Sequence, residues 1–111
     1  MINVRITRAS AQGAIVGFAV KGHADYARKG RDIVCAGVST VTVGTVNAIE
    51  TLTGVILDTS MKDGFLSGTL VPVDNPETSA QVQLLLESMV VMLDDIAKSY
   101  RKYIQIQEVI L

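Results

Sequence analysis

The chain contains one histidine and one cysteine, His23 and Cys35, and the residues between them are typical of a loop that joins a strand to a helix. A thiol and an imidazole are the smallest set of side chains that covalent catalysis by a cysteine requires. A thiol at a helix start also ionises more easily, because the helix dipole and unpaired N–H groups favour the thiolate. The alternative interpretation is structural, since a lone cysteine is commonly a buried apolar residue and a lone histidine a packing or surface residue.

The residues around Cys35 predict how the thiol is positioned. Asp32 lies just before Ile33 and Val34, and a short acidic side chain there can accept hydrogen bonds from N–H groups two and three residues later, as an N-cap does. Cys35 is then the third helical residue. Asp32 either orients His23 or only caps the helix. Ser39, one helical turn later, either supports the site by hydrogen bonding or bonds the backbone of its own helix.

The periodicity of apolar residues predicts the elements that carry this loop. Alternation indicates strands, and helical spacing with capping signals indicates helices. In chain order these are a strand around Ile2, Val4 and Ile6, a strand at Ala14–Val20 with Val16, Phe18 and Val20 on one face, a helix from Ile33 to Ile56, a hairpin of Thr59–Lys62 and Phe65–Val71 around Asp63-Gly64, a helix capped by Asn75 that reaches Tyr100, and a closing strand at Tyr103–Leu111. The predicted fold class is α+β, a two-layer sandwich in which two helices pack on a mixed or antiparallel sheet.

The segment that follows Asp32 has two competing interpretations. Val41-Thr42-Val43 alternates and β-branched residues are frequent, which favours a strand. The helix is preferred because its apolar stripe continues for about five turns, longer than the usual strand. Residues Ile33–Ile49 also lack charged side chains, as a membrane span would, but their serine, threonines and asparagine are too polar for lipid. No membrane span is expected.

Composition limits the classes of function. With 111 residues, positions 1–111 are expected to form a single domain. Hydrophobic residues make up 49% of the chain and charged residues only 19%, which predicts that apolar surface is covered in a homodimer. The net charge of −1 argues against direct binding of nucleic acid. Arg5 and Arg8 interrupt the first ten residues before any apolar run, so no signal peptide is expected and a cytoplasmic protein is predicted.

No cofactor or metal is expected. The spacing of Gly22, Gly30 and Gly37 matches neither a phosphate-binding loop nor a dinucleotide fingerprint. One histidine and one cysteine would leave a zinc site dependent on carboxylates. Asp94 and Asp95 are adjacent on a predicted helix, where neighbouring residues do not share a face. None of these features competes with the cysteine as the centre of chemistry.

The motifs around His23 and Cys35 resemble those of the ribosomal-processing cysteine proteases, the Prp or YsxB-like family. The resemblance extends along the whole chain, through the Asn75-Pro76-Glu77 helix start and the Tyr100-x-x-Tyr103-Ile104 passage. Its central motifs are Gly22-His23-Ala24 with Tyr26, and Gly30-x-Asp32-Ile33-Val34-Cys35-Ala36-Gly37-Val38-Ser39.

The resemblance implies a dimeric cytosolic protease of bacteria, with His23 and Cys35 as the catalytic pair. Members of the family remove a short N-terminal extension from the precursor of a large-subunit ribosomal protein, the twenty-seventh in the bacterial naming. The cut follows a pair of aromatic residues. The implied site includes Gly22, Asp32, Ala36 and Ser39 as supporting residues.

The resulting mechanism is acyl transfer to Cys35, with His23 as base and then acid. Backbone N–H groups near Cys35 and Ala36 are the candidates for the oxyanion hole. The loop from His23 to Arg31 is expected to be mobile and to close on substrate, since Gly22 and Gly30 bracket it and its charged side chains offer little apolar anchorage. Two alternatives stay open: a non-catalytic ribosome-associated binding protein and a thiol hydrolase acting on small molecules.

Overall fold

The computed structural model describes all residues, 1–111. It has seven helices and strands. They are β1 (Ile2–Arg8), β2 (Ile15–Lys21), α1 (Ile33–Thr53), β3 (Asp58–Lys62), β4 (Phe65–Thr69), α2 (Pro76–Ser99) and β5 (Ile104–Ile110). The predicted β-β-α-β-β-α-β order is therefore confirmed.

The five strands form one mixed sheet in the order β3-β4-β2-β1-β5. Strands β1 and β5 pair in parallel, and the other three pairs are antiparallel. Strand β2 is the central strand of the sheet. The loop that follows Lys21 therefore starts from the middle of one end of the sheet. The elements that flank that point are the start of β1 and the turn between β3 and β4.

One face of the sheet carries the core. In β1 the side chains of Ile2, Val4 and Ile6 are buried while Asn3 and Arg5 are exposed, as strict alternation requires when only one face is covered. Both helices contribute to the same core. Their buried residues are Val34, Val38, Thr42, Thr45 and Ile49 of α1 and Val82, Leu86, Met89, Val90 and Leu93 of α2. The two-layer α+β class is confirmed.

Helix α1 begins where the sequence predicts and ends earlier. Asp32 is its N-cap, and Gly54 ends it in a left-handed conformation with φ of +78°. The N–H of Gly54 donates to the carbonyl of Glu50, so the last turn is closed at glycine. The predicted continuation to Ile56 is wrong, and Leu52 is 71% exposed. The apolar spacing continues to Ile56, but Gly54 ends the helix before that residue.

By length and composition alone, α1 could cross a membrane. Its buried side chains instead belong to the core shared with the sheet and with α2. A core helix of a globular domain passes the same test of length and apolarity. The rejection of a membrane span rests on this packing.

The predicted buried face of β2 is confirmed for Phe18 and Val20 but not for Val16, because of a β-bulge. Thr7 pairs with Gly17, but the next residue, Arg8, pairs with Ile15, so Val16 is the extra residue. Ile15 is thereby turned into the core and is completely buried, whereas Val16 is only half-buried. A bulge has no signal in the alternation of a single strand.

The β3–β4 hairpin and α2 follow their local signals. The turn is at Asp63-Gly64 as predicted, and Gly64 has a φ of +71°. Strand β4 ends at Thr69, earlier than the predicted Val71. Asn75 caps α2 by accepting a hydrogen bond from the N–H of Thr78 over 3.0 Å.

Candidate active site

A cleft of about 740 Å³ lies between the start of α1, the loop after β2 and the β3–β4 turn. This volume is in the range of sites that bind small molecules. His23 and Cys35 both line it, and so do Asp32, Ser39 and Gly64. The structure thus brings the two chemistry-bearing residues of the sequence to one cavity.

The thiol of Cys35 is held by the residue that follows the histidine. Cys35 is the third residue of α1 and is half-buried. The buried backbone N–H of Ala24 donates a hydrogen bond to its Sγ over 3.3 Å. His23 is exposed at the rim, and no hydrogen bond joins its imidazole to the thiol. The pair shares a cleft without direct contact through a hydrogen bond.

Asp32 supports both the helix and the loop. One carboxylate oxygen accepts from the N–H groups of Val34 and Cys35, each over 3.0 Å, and the other accepts from Tyr26 over 3.0 Å and from Ala27 over 3.4 Å. Burial raises the pKa of this carboxyl, but the four backbone donors outweigh burial and lower its pKa below the ordinary value. The N-cap interpretation is confirmed, and Asp32 makes no hydrogen bond to His23.

The N–H groups predicted to form an oxyanion hole already have acceptors. That of Cys35 donates to the Asp32 carboxylate, and that of Ala36 donates to the Asp32 carbonyl over 3.0 Å. Neither is free to stabilise an oxyanion in this structure, because the helix cap uses both. Ala36 remains an exposed residue of the cleft wall.

Ser39 lines the cleft and is exposed, but its hydroxyl makes no hydrogen bond. Its carbonyl accepts from the Thr42 hydroxyl over 3.4 Å. The interpretation in which the Ser39 hydroxyl bonds its own helix is therefore wrong, and no contact supports the thiol from this position. Ser39 can act only on a group that enters the cleft.

Gly22 has a backbone conformation that favours glycine. Its φ is +96°, and a Cβ at this position would lie 2.5 Å from the carbonyl oxygen of Met1. Its N–H donates to the carbonyl of Gly64 over 2.8 Å. The strand exit before His23 is therefore fixed by close backbone contacts on two sides.

The loop is better anchored than the sequence predicts. The ring of Tyr26 packs edge-on against Tyr100, with centroids 5.7 Å apart, and against Tyr103, with centroids 5.1 Å apart. Together with the Asp32 hydrogen bonds, this contact holds residues 24–27. The expectation of little apolar anchorage is wrong for that half, because the partners of Tyr26 lie far away in the sequence.

Gly64 is the site residue that sequence reasoning missed. A Cβ built on it would lie 2.7 Å from Nε2 of His23, 3.3 Å from Cε1 and 3.4 Å from Cδ2. The imidazole therefore packs directly on the backbone of the β3–β4 turn. In the sequence the Asp63-Gly64 pair indicates only a turn, and nothing in its local pattern indicates a contact with the histidine.

A half-buried thiol at a helix start, an imidazole on the same cleft and a two-layer α+β fold define a candidate cysteine hydrolase. Comparison with known proteins gives a consistent result. The family model described as cysteine protease Prp matches residues 1–105. The chain belongs to this family of cysteine proteases.

Individual relatives cover nearly the full length of the chain. A Bacillus subtilis protein named ribosomal processing cysteine protease Prp is 36% identical over 108 residues, which span 96% of each chain. The protein of the same name from Staphylococcus aureus is 38% identical over 106 residues, 96% of this chain and 97% of the relative. A crystal structure of the Staphylococcus aureus protease with a covalently linked product peptide has a TM-score of 0.87 at 37% identity, covering 98% of this chain and 100% of that one.

Proposed function

We propose that this cysteine protease removes the N-terminal extension of a bacterial large-subunit ribosomal protein, the twenty-seventh, by cutting after a pair of aromatic residues. The observation that carries the proposal is the single cleft that holds both His23 and Cys35, with the N–H of Ala24 on the thiol. Relatives named for ribosomal processing, one with a product peptide linked covalently, support the substrate class.

Cys35 is proposed as the nucleophile and His23 as its base. The Sγ attacks the carbonyl carbon of the second aromatic residue, its proton passes to the imidazole, and the peptide C–N bond breaks as His23 protonates the leaving amine. Water then cleaves the thioester and restores the thiol. Cys35 lies in the first turn of α1.

The walls of the cleft suit an aromatic segment. Ile33 from α1 and Met61 from β3 are apolar and more than half exposed, and Phe65 at the start of β4 lines the same cleft. Methionine sulfur makes favourable contacts with aromatic rings. Burying the two rings of the substrate against these side chains would bring the scissile carbonyl toward Cys35.

Docking of the substrate is proposed to bring His23 to the thiol. The imidazole is exposed and has no hydrogen bond to Cys35 in the free enzyme, and catalytic hydrogen bonds commonly tighten only in the substrate complex. Residues 28–31 are exposed, and their charged side chains form no ion pair. This half of the loop closes over the docked substrate, while the exposed imidazole of His23 turns toward the thiol.

The remaining features of the proposal concern assembly and location. The 18 residues of the core form one cluster, which supports a single protease domain over residues 1–111. We place the enzyme in the cytoplasm, where a single thiol stays reduced. Exposed apolar side chains such as Leu84 and Val91 on α2 support a homodimer. Light scattering at micromolar concentration should then give twice the chain mass of 11.9 kDa, and a monomer would contradict the dimer.

Incubation with the host's own ribosomal precursor tests the proposed reaction. Mass spectrometry should find one cut after the aromatic pair, and prior treatment with iodoacetamide should block it. A precursor with the aromatic pair changed to alanines is the control and should stay uncut. Turnover of simple esters or thioesters without cleavage of the precursor would favour a small-molecule thiol hydrolase instead.

A further inference from the structure

The β3–β4 turn touches the histidine through a residue that has no side chain. Gly64 lies under the imidazole, and the space that a Cβ would need is already filled by Nε2 at 2.7 Å and by Cε1 at 3.3 Å. Real Cβ atoms essentially never approach another heavy atom within 3.0 Å. Any residue other than glycine at position 64 therefore requires the His23 ring or the turn to move.

The turn itself has little freedom to move away. The N–H of Gly22 donates to the carbonyl of Gly64 over 2.8 Å, which ties the turn to the backbone next to His23. Lys21 of β2 also pairs with Phe65 of β4, one residue beyond the turn. Since the backbone is held at Gly64 and at the next residue, Phe65, the movable partner in a clash is the exposed imidazole.

We propose that Gly64 is a positioning residue that sets the orientation of the His23 imidazole toward the cleft. The inference rests on the proposed function in one respect, namely that His23 acts as the base for Cys35. It goes beyond that function because it assigns a role to the β3–β4 turn, which carries no chemical group of its own in the reaction. A side chain at position 64 would misplace the base while leaving both reacting groups in the chain.

A second effect of substitution has to be separated from the clash. Gly64 has a φ of +71°, a conformation that most side chains adopt only with strain. Gly54 has a φ of +78° and no heavy atom within 4 Å of its Cβ position, so Gly54→Ala introduces the backbone strain without the clash. Gly64→Asn does the reverse, since asparagine tolerates a left-handed backbone but still carries a Cβ.

The experiment compares these variants in a protein without a histidine tag, so that His23 is the only imidazole. Proton–carbon NMR of its ring reports position and environment, and cleavage of the precursor peptide reports kcat/KM. We expect Gly64→Ala and Gly64→Asn to shift the His23 ring signals and to lower kcat/KM on the order of 100-fold, the effect of misplacing a reacting group by about 1 Å. Gly54→Ala should leave the ring signals unchanged and kcat/KM within about twofold of wild type.

Two results would overturn the proposal. Unchanged His23 signals in both Gly64 variants would show that the turn does not position the ring. Recovery of wild-type kcat/KM in Gly64→Asn would assign the loss in Gly64→Ala to backbone strain alone. Failure of the proposed function can be told apart from failure of this proposal. If His23 is not the base, His23→Ala retains cleavage, whatever the ring signals of the Gly64 variants show. If Gly64→Ala does not fold, Gly64→Asn carries the test.

Discussion

The backbone N–H of Ala24 donates a hydrogen bond to the Sγ of Cys35 over 3.3 Å. Ala24 follows His23 directly, so this contact ties the position of the histidine backbone to the thiol although the two side chains do not bond. The loop and the Cys35 side chain therefore form one structural unit.

Asp32 is expected to stabilise the fold and the loop through different oxygens. Asp32→Ala should lower the free energy of unfolding by about 1–2 kcal/mol through loss of a helix cap, and should also slow cleavage. In Asp32→Asn, the side-chain oxygen can still accept from the N–H groups of Val34 and Cys35. The NH₂ group then faces the N–H groups of Tyr26 and Ala27, which lose their acceptor. Asn75→Ala, which removes the exposed cap of α2, is the control for stability alone. Wild-type cleavage by Asp32→Ala would contradict the role in the loop.

The effect of Asp32 on stability should depend on pH. Its folded pKa is lowered, so the stabilisation is present above the unfolded pKa of about 3.9 and is lost as pH falls through the folded value. Urea unfolding of the wild type and of Asp32→Ala should therefore converge in acid and differ at neutral pH.

Gly22→Ala should slow cleavage and destabilise the protein by more than about 1 kcal/mol. The reason is a clash of the new Cβ with the Met1 carbonyl oxygen, added to strain at a φ of +96°. Gly30→Ala is the matched control in the same loop, with a φ of +86° and open space around its Cβ position. Peptide kinetics and thermal unfolding measure both effects. Equal slowing in the two variants would indicate restricted loop motion instead of the clash.

Tyr26→Ala should loosen the anchored half of the loop. Loss of two edge-on ring contacts, with Tyr100 and Tyr103, is worth about 0.5–1.5 kcal/mol each before allowance for the exposure of Tyr26. Hydrogen exchange at residues 24–27 should become faster, while Leu84→Ala, at an exposed apolar position of α2, should leave it unchanged.

The same exchange measurement tests closure of the loop. In Cys35→Ser with the extension peptide, protection should rise at residues 28–31 more than at residues 24–27, which are already held. Equal protection of residues 23–31 with and without peptide would rule out a closing loop.

The origin of each feature explains what the sequence could predict. The caps at Asp32 and Asn75 and the Asp63-Gly64 turn depend on neighbours within a few residues, so local patterns identified them. The contacts of Tyr26 with Tyr100 and of Gly64 with His23 join segments far apart in the chain. Such contacts exist only after the sheet has formed, and a single sequence has no pattern that reports them.

The same distinction accounts for the error in the predicted face of β2. The bulge opposite Arg8 depends on the pairing of two strands, and it turned Ile15 inward without any change in local alternation. The predicted end of α1 at Ile56 is too late for a different reason. Gly54 is a local stop signal, but the apolar spacing that continues to Ile56 favours a longer helix. Catalytic roles for His23 and Cys35 stay predictions, because geometry alone does not show a reaction.

An ion-pair cluster distant from the cleft is expected to contribute to stability and not to activity. The buried guanidinium of Arg8, at the end of β1, donates to Glu87 over 2.7 and 3.0 Å and to Glu108 over 3.2 Å. The hydrogen bonds from Arg8 lower the pKa of Glu87, so its stabilisation is lost as pH falls through the lowered value. Glu87→Gln should lower the free energy of unfolding by about 1 kcal/mol or less at neutral pH, since solvent screens the half-exposed carboxylate.

The effect of Glu87→Gln should disappear in acid, and kcat/KM should be unchanged at neutral pH. Asp95 is exposed on α2 and forms no ion pair, so Asp95→Asn is the matched control for loss of one negative charge. Urea unfolding at several pH values measures the difference. A loss of activity in Glu87→Gln would contradict the separation of this cluster from the cleft.

Cleavage of the host's ribosomal precursor by Cys35→Ala and His23→Ala, with thermal unfolding measured alongside, tests the central assignment most directly. Both variants should unfold near the wild-type temperature and both should lose cleavage, because a nucleophile and its base act as one unit. Each single loss should be about as large as the double loss. If Cys35→Ala retained cleavage within about tenfold of the wild-type rate, covalent catalysis by this thiol would be contradicted, since the mechanism has no substitute nucleophile.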